Sequence, residues 1–189
     1  MAYLDDSIAQ LSIFEGSVAW MYLDSRGFVT VGVGEMLPNV GSAQALGFVD
    51  GSGAAATAAE IGADFFRVAS LEPNLRPAAY RSPSSPQLPP EVIASVLRGH
   101  LAEFDGELAA RFANYAAFPE PAKLGLLDMI YNLGESKLFS GFPTFIRYVG
   151  EADWANAALQ CHRVGPGDAR NAWTANQFNL AATMQAAGA

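Results

Sequence analysis

Apolar and polar positions divide the chain into a short amphipathic start, an alternating stretch and a long helical remainder. Residues 3–14 place Leu4, Ile8, Leu11 and Phe14 near a 3.6-residue spacing, which predicts one helix. Gly16, following Glu15, supplies its stop. The period then drops to two. Val18, Trp20 and Tyr22 alternate, Asp24-Ser25-Arg26-Gly27 reads as a turn, and Phe28 to Gly34 alternates again, which predicts a β-hairpin. On the returning strand Val29, Val31 and Val33 share one face, and Phe28, Thr30, Gly32 and Gly34 share the other. The two glycines leave bare backbone on that second face, as a surface does where a bulky ligand comes close.

Residues 35–53 carry no sustained period and read as loop. A helix is predicted from near Ala54 through Ile61, Phe65, Phe66 and Val68, with Thr57 and Glu60 spaced as a capping box. Residues 73–90 hold six prolines, with Ser82, Ser84 and Ser85, and read as a rigid connection. Helical spacing resumes at Pro89 and Pro90 with Val92, Ile93, Val96, Leu97, Leu101, Phe104 and Leu108. A further helix is predicted from Pro119–Pro121 through Leu124, Leu127 and Ile130, and a short one over 142–149. Asp153 and Asp168 read as N-caps of two more. The fold class is α+β, mostly helical, with one small sheet near the N-terminus.

Composition narrows the functions. The 189 residues are 51% hydrophobic, enough for a packed core. Eleven basic and 19 acidic side chains give a net charge of −8. That balance argues against nucleic acid as a partner, because phosphates need a basic footprint. A single cysteine, Cys161, excludes an internal disulfide framework, and with only His100 and His162 beside it no metal set or cofactor is expected. No targeting segment and no membrane-spanning run is visible, so synthesis in the cytoplasm without membrane insertion is expected. Trp154 and Trp173 read as core residues on helices, and Trp20 as buried against helices.

The chemistry-bearing set is Glu15, Asp24 and Thr30, at the end of the first helix, at the hairpin turn and on the glycine face of the returning strand. Glycoside hydrolysis needs two carboxyl groups, one to protonate the leaving oxygen and one to assist attack. A carboxyl at a helix C-terminus meets the negative end of the dipole, and partial burial would also disfavour its charge. Glu15 is therefore the expected acid, with Asp24 the ionised partner and Thr30 holding water. Spacing alone leaves a plainer alternative open, since Glu before a helix-ending Gly and Asp in a turn are common structural choices.

The run Phe14-Glu15-Gly16, then Tyr22 to Gly34, resembles the active-site segment of phage-type lysozymes, glycoside hydrolase family 24. Eight residues separate Glu15 from Asp24 and five separate Asp24 from Thr30, as in that family. Leu127-Asp128-Met129-Ile130-Tyr131-Asn132-Leu133-Gly134, with Phe139 and Phe142-Pro143, resembles its central helix. Asp153-Trp154, Ala157-Ala158, Arg163, Arg170 and Asn171 resemble its C-terminal helices. The resemblance covers roughly 12–35 and 120–180, and its style is closest to lysozyme-like domains of antibacterial effectors.

The resemblance implies one lysozyme-like domain, with a smaller lobe over about 12–70, the Pro-rich connection over 73–90 and a helical lobe over about 90–189, flanking a cleft. It implies a muramidase that cleaves the β-1,4 bond between N-acetylmuramic acid and N-acetylglucosamine in peptidoglycan, without a cofactor and with inversion. Glu15 is then the general acid, Asp24 the second carboxylate and Thr30 the water-positioning residue. Gly32, Tyr131 and Asn132 would bind sugar, although Tyr131 by itself reads as core. Arg170 would pair with the catalytic Glu. Glu35 stands where the family often has His, and either rewires a local contact or adds a third acid to the cleft. A monomer acting on glycan strands is expected, reaching the periplasm or wall by holin or injection machinery, with an immunity protein as partner if the chain is an effector. The alternative is a non-catalytic module that binds wall glycans or a partner. Many lysozymes are basic, so the −8 charge is expected to lie away from the cleft, with Arg163 and Arg170 offsetting Glu15 and Asp24.

Overall fold

The computed structural model describes residues 2–188. In chain order the elements are α1 (Ala2–Glu15), β1 (Val18–Leu23), β2 (Val29–Gly32), β3 (Glu35–Met36), α2 (Val40–Gln44), α3 (Ala58–Ala69), α4 (Pro90–Arg111), α5 (Glu120–Leu133), α6 (Glu135–Gly141), α7 (Pro143–Gly150), α8 (Trp154–Gln160) and α9 (Asp168–Gly188), with 3-10 turns at Pro77–Tyr80 and Tyr115–Ala117. The chain is mostly helical α+β, with one antiparallel sheet in the order β1-β2-β3. Two compact units form, Leu11–Leu97 and Met1–Gln10 with Arg98–Ala189.

In Leu11–Leu97 the sheet carries the core through Met21 and Val31, fully buried, joined by Leu11, Phe48, Val68, Tyr80 and Leu88. All four residues of β2 are buried, so the strand is covered on both faces rather than open on one. β1 is irregular: Val18 pairs with Gly32 and Tyr22 with Thr30, so three residues of β1 stand against Val31 alone on β2. Such a bulge bends its strand and re-aims the side chains within it.

Several elements depart from the sequence expectation. The segment read as loop over 35–53 contains β3 and α2, each too short to show a period. The third helix starts at Ala58, not near Ala54, because Thr57 is its N-cap: Glu60 N donates to Thr57 Oγ1 at 3.2 Å, and Thr57 N donates to Glu60 Oε2 at 2.8 Å. The Pro-rich segment is part of the Leu11–Leu97 unit, not a bare connection. Its Tyr80 is fully buried, and Tyr80 Oη donates to the Glu72 carbonyl at 2.8 Å. Asp64 on α3, also buried, ties that segment down with Arg67: Arg67 donates to the Tyr80 carbonyl, and Ser85 Oγ donates to Asp64 Oδ1.

The other unit is built around α5, whose Ala122, Leu126, Leu127, Met129 and Ile130 are fully buried. α5 lies close to α9 at Gly125, where an added Cβ would stand 2.7 Å from Phe178 Cζ. Trp154 packs edge-on against Phe118 with centroids 4.8 Å apart, as a core residue. Asp153 caps α8 by accepting from Asn156 N at 3.2 Å. Asp168 is instead the first helical residue of α9, placing its charge in the positive first turn. α6, unforeseen, follows Gly134 directly. No helix among the described residues is long and apolar enough to cross a membrane.

Candidate active site

Glu15 is the last residue of α1, and Gly16 with φ +75° ends the helix behind it. Glu15 is exposed, where partial burial was expected. Asp24 opens the hairpin turn. Its Oδ1 accepts from the backbone N–H of Arg26 and of Phe28, both at 2.9 Å, and Asp24 N donates to the Phe28 carbonyl at 2.9 Å. One carboxylate oxygen is thereby fixed in place. The other, Oδ2, lies 3.6 Å from Arg26 Nε in an exposed ion pair. Thr30 is buried on β2, and its hydroxyl donates to the Phe28 carbonyl at 3.0 Å, which leaves the oxygen lone pairs to accept.

Tyr22 links these groups. It stands opposite Thr30 in the β1–β2 register, so both side chains lie on one face of the sheet. Its phenol is pushed above the ordinary value of 10.0, first by burial, then by the negative charges of Asp24 and Glu15. Both carboxylates therefore act on one phenol that stays protonated near neutral pH. Along the sequence Tyr22 stands out only as one of the alternating strand positions Val18, Trp20 and Tyr22. Its cross-strand spacing from Thr30 was the available signal.

Gly32 departs from the expectation of bare, accessible backbone. It is buried with φ +65°, and a Cβ there would meet Ile93 Cγ2 of α4 at 3.3 Å. The glycine serves a left-handed backbone and the close approach of Ile93. Glu35 pairs with Val31 on β3 and borders a small recess lined by Gly32, Leu88, Ile93 and Leu97. The charges that raise the Tyr22 phenol are those of Asp24 and Glu15.

Tyr131, Asn132 and Arg170 belong to the other unit. Asn132 is exposed near the end of α5, and Tyr131 is half-buried, edge-on to Phe104 with centroids 6.2 Å apart. Arg163 lies in that unit as well. Arg163 is 1% exposed and donates through Nη2 to Asp128 Oδ2 at 2.5 Å and to Thr174 Oγ1 at 2.7 Å. Arg170 donates from Nε to Asp128 Oδ1 at 2.7 Å. Asp128 thus gathers two guanidiniums. Its signal in the sequence was an acid inside the apolar run Leu126-Leu127-Asp128-Met129-Ile130.

Cys161 is buried, and burial lifts its thiol to about 11, so it is a poor nucleophile near neutral pH. Among the described residues no group of three or more His, Cys, Asp or Glu is arranged to hold a metal ion. No protein-family model matches the chain, and no curated protein matches it significantly.

Proposed function

We propose that the chain is a lysozyme-like glycoside hydrolase that cleaves the β-1,4 linkage between N-acetylmuramic acid and N-acetylglucosamine in peptidoglycan. The observation that carries this reading is geometric: within one compact unit Glu15 ends α1, Asp24 is held by the Arg26 and Phe28 amides at the hairpin turn, and the Thr30 hydroxyl stands on the returning strand opposite Tyr22. Two carboxyl groups at the ends of one helix and one hairpin turn, with a hydroxyl acceptor on the returning strand, are the parts an inverting glycosidase requires.

In the proposed reaction the Glu15 carboxyl gives its proton to the glycosidic oxygen as the bond to the anomeric carbon breaks. A water attacks that carbon from the opposite face of the ring. Asp24 Oδ2 takes the water proton, while Oδ1 stays held by the Arg26 and Phe28 amides. Thr30, whose own proton is given to the Phe28 carbonyl, accepts the second hydrogen bond of the water. Positive charge developing on the sugar is stabilised by the two carboxylates. The Tyr22 phenol stays neutral beside them, held protonated by burial and by their charge.

Release of reducing ends from purified peptidoglycan tests this. Glu15→Gln and Asp24→Asn are each expected to lower turnover by about a hundredfold or more, with new N-acetylmuramic acid reducing ends in the parent digest. If both variants keep parental turnover, the assignment is wrong.

A further inference from the structure

A second feature of the same sheet, two residues from Tyr22 along β1, is a charged aromatic patch. Trp20 sits in the bulged stretch of β1. Met21 and Leu23 turn into the core, while Trp20 and Tyr22 are half-buried, so those two stand on the more open side of the strand. The Trp20 indole donates from Nε1 to the Pro77 carbonyl at 2.8 Å, which fixes the ring against the 3-10 turn. The Arg81 guanidinium, exposed at the end of that turn, lies over the Trp20 ring at 4.8 Å from its centroid.

The charge arrangement there is specific. The basic residues of Leu11–Leu97 are Arg26, Arg67, Arg76 and Arg81. Arg26 pairs with Asp24, and Arg67 with Asp64. Arg76 and Arg81 flank the Pro77–Tyr80 turn, both exposed and neither ion-paired with a carboxylate. In an acidic chain, the two unpaired cations of this unit therefore stand at the ends of one turn, and one has its guanidinium carbon over the face of an aromatic ring. An exposed guanidinium over a ring face, with no carboxylate on it, keeps N–H donors for a planar, bidentate acceptor.

We propose that Arg81 on Trp20, with Arg76 beside it, forms an anion-recognising subsite that takes a carboxylate of the peptide substituents borne by the glycan. The inference rests on the glycan-hydrolase reading for the identity of the ligand, and on the patch itself for its charge and geometry. A planar carboxylate fits the exposed fork of Arg81, and the Trp20 face holds that fork in one orientation. The subsite gives an acidic enzyme local attraction for an anionic substrate without a basic overall charge.

The test uses the full chain carrying Glu15→Gln, so that no turnover interferes, and follows the Trp20 indole N–H resonance during titration. The probes are an N-acetylglucosamine–N-acetylmuramic acid disaccharide with a stem peptide bearing free carboxylates, and the same compound with those carboxylates amidated. The acid form is expected to bind about fivefold more tightly than the amidated form. Arg81→Gln should abolish that discrimination and leave affinity for the amidated probe unchanged. Arg81→Lys, which keeps the charge but loses the fork, should restore only part of it. Should Arg81→Gln disturb the turn, seen as a lowered melting temperature, Arg76→Gln supplies the second measurement and should lower the discrimination by about twofold. Equal binding of the two probes by the parent overturns the proposal, as does discrimination that survives both glutamine variants. Arg81-dependent binding of a glycerol-phosphate oligomer in preference to the muropeptide also overturns it, by assigning the patch to a phosphate polymer. Hydrolysis is scored separately by reducing ends: its failure with discrimination intact strikes the chemistry, and lost discrimination with hydrolysis intact strikes only the subsite.

Discussion

Arg163 Nη2 and Asp128 Oδ2 lie 2.5 Å apart with both residues almost wholly buried. The same carboxylate also accepts from Arg170 Nε and from Thr174 Oγ1. One buried acid therefore hydrogen-bonds and orients two arginines, and offsets part of their charge. Breaking such a set leaves charge stranded away from water.

Asp128→Asn keeps an acceptor at this point but removes the charge that both guanidiniums need. The expected loss is about 3–5 kcal/mol of unfolding free energy, read by urea denaturation. Arg163→Met on its own strands less charge, and the double variant should cost clearly less than the sum of the two singles. Additive losses would show that the pair is not energetically coupled.

Asp24→Asn should leave the fold intact. An asparagine Oδ1 can accept from the Arg26 and Phe28 amides as the aspartate does. Its stability is expected within about 0.5 kcal/mol of the parent, whereas Asp24→Ala, which strips both acceptors, should cost about 1–2 kcal/mol. Thermal melts of the two variants separate a chemical loss of activity from an unfolded hairpin.

Stability should fall at alkaline pH. Tyr3 and Tyr115 both donate to Asp105 Oδ1, at 2.9 and 2.6 Å. Their phenols are raised above the ordinary 10.0, first by burial and then by the hydrogen bond to Asp105. The folded chain thus holds these protons at a pH where the unfolded chain has given them up. Their contribution is complete below pH 10 and is lost as pH rises beyond it. Cys161, raised from 9.0 to about 11, acts in the same direction with an earlier onset. Urea midpoints between pH 7 and pH 11 should decline more gently in Tyr3→Phe/Tyr115→Phe than in the parent. An unchanged slope would exclude these tyrosines as its source.

Gly125→Ala should be poorly tolerated although alanine favours helix. A Cβ there would stand 2.7 Å from Phe178 Cζ and 2.9 Å from Cε2, inside van der Waals contact. Phe178 is itself fully buried and edge-on to Phe145, so it has little room to move. A cost of about 1–3 kcal/mol is expected by denaturation. Phe178→Leu, paired with Gly125→Ala, should recover part of it.

Much of the fold was legible because it depends on local physics. The 3.6 spacing of Leu4, Ile8 and Leu11 marks α1, the alternation of 18–22 and 28–34 marks the hairpin, and Thr57–Glu60 and Asp153 are caps satisfied within three residues. The positions of Glu15, Asp24 and Thr30 on those elements followed directly. β3 and α6 were not legible, since strands and helices this short carry no period of their own.

The sequence by itself determined the α+β class, the hairpin that carries Asp24 and Thr30, and the acidic balance of −8. Tertiary structure decided the pairings that join distant segments. It assigned Arg163 to Asp128 across 35 residues, closed Gly32 beneath Ile93, set Tyr22 under the influence of two carboxylates and laid Arg81 on Trp20. Periodicity and capping are properties of neighbours along the chain, whereas the partner of a buried charge or a stacked ring is fixed only when packing removes the alternatives.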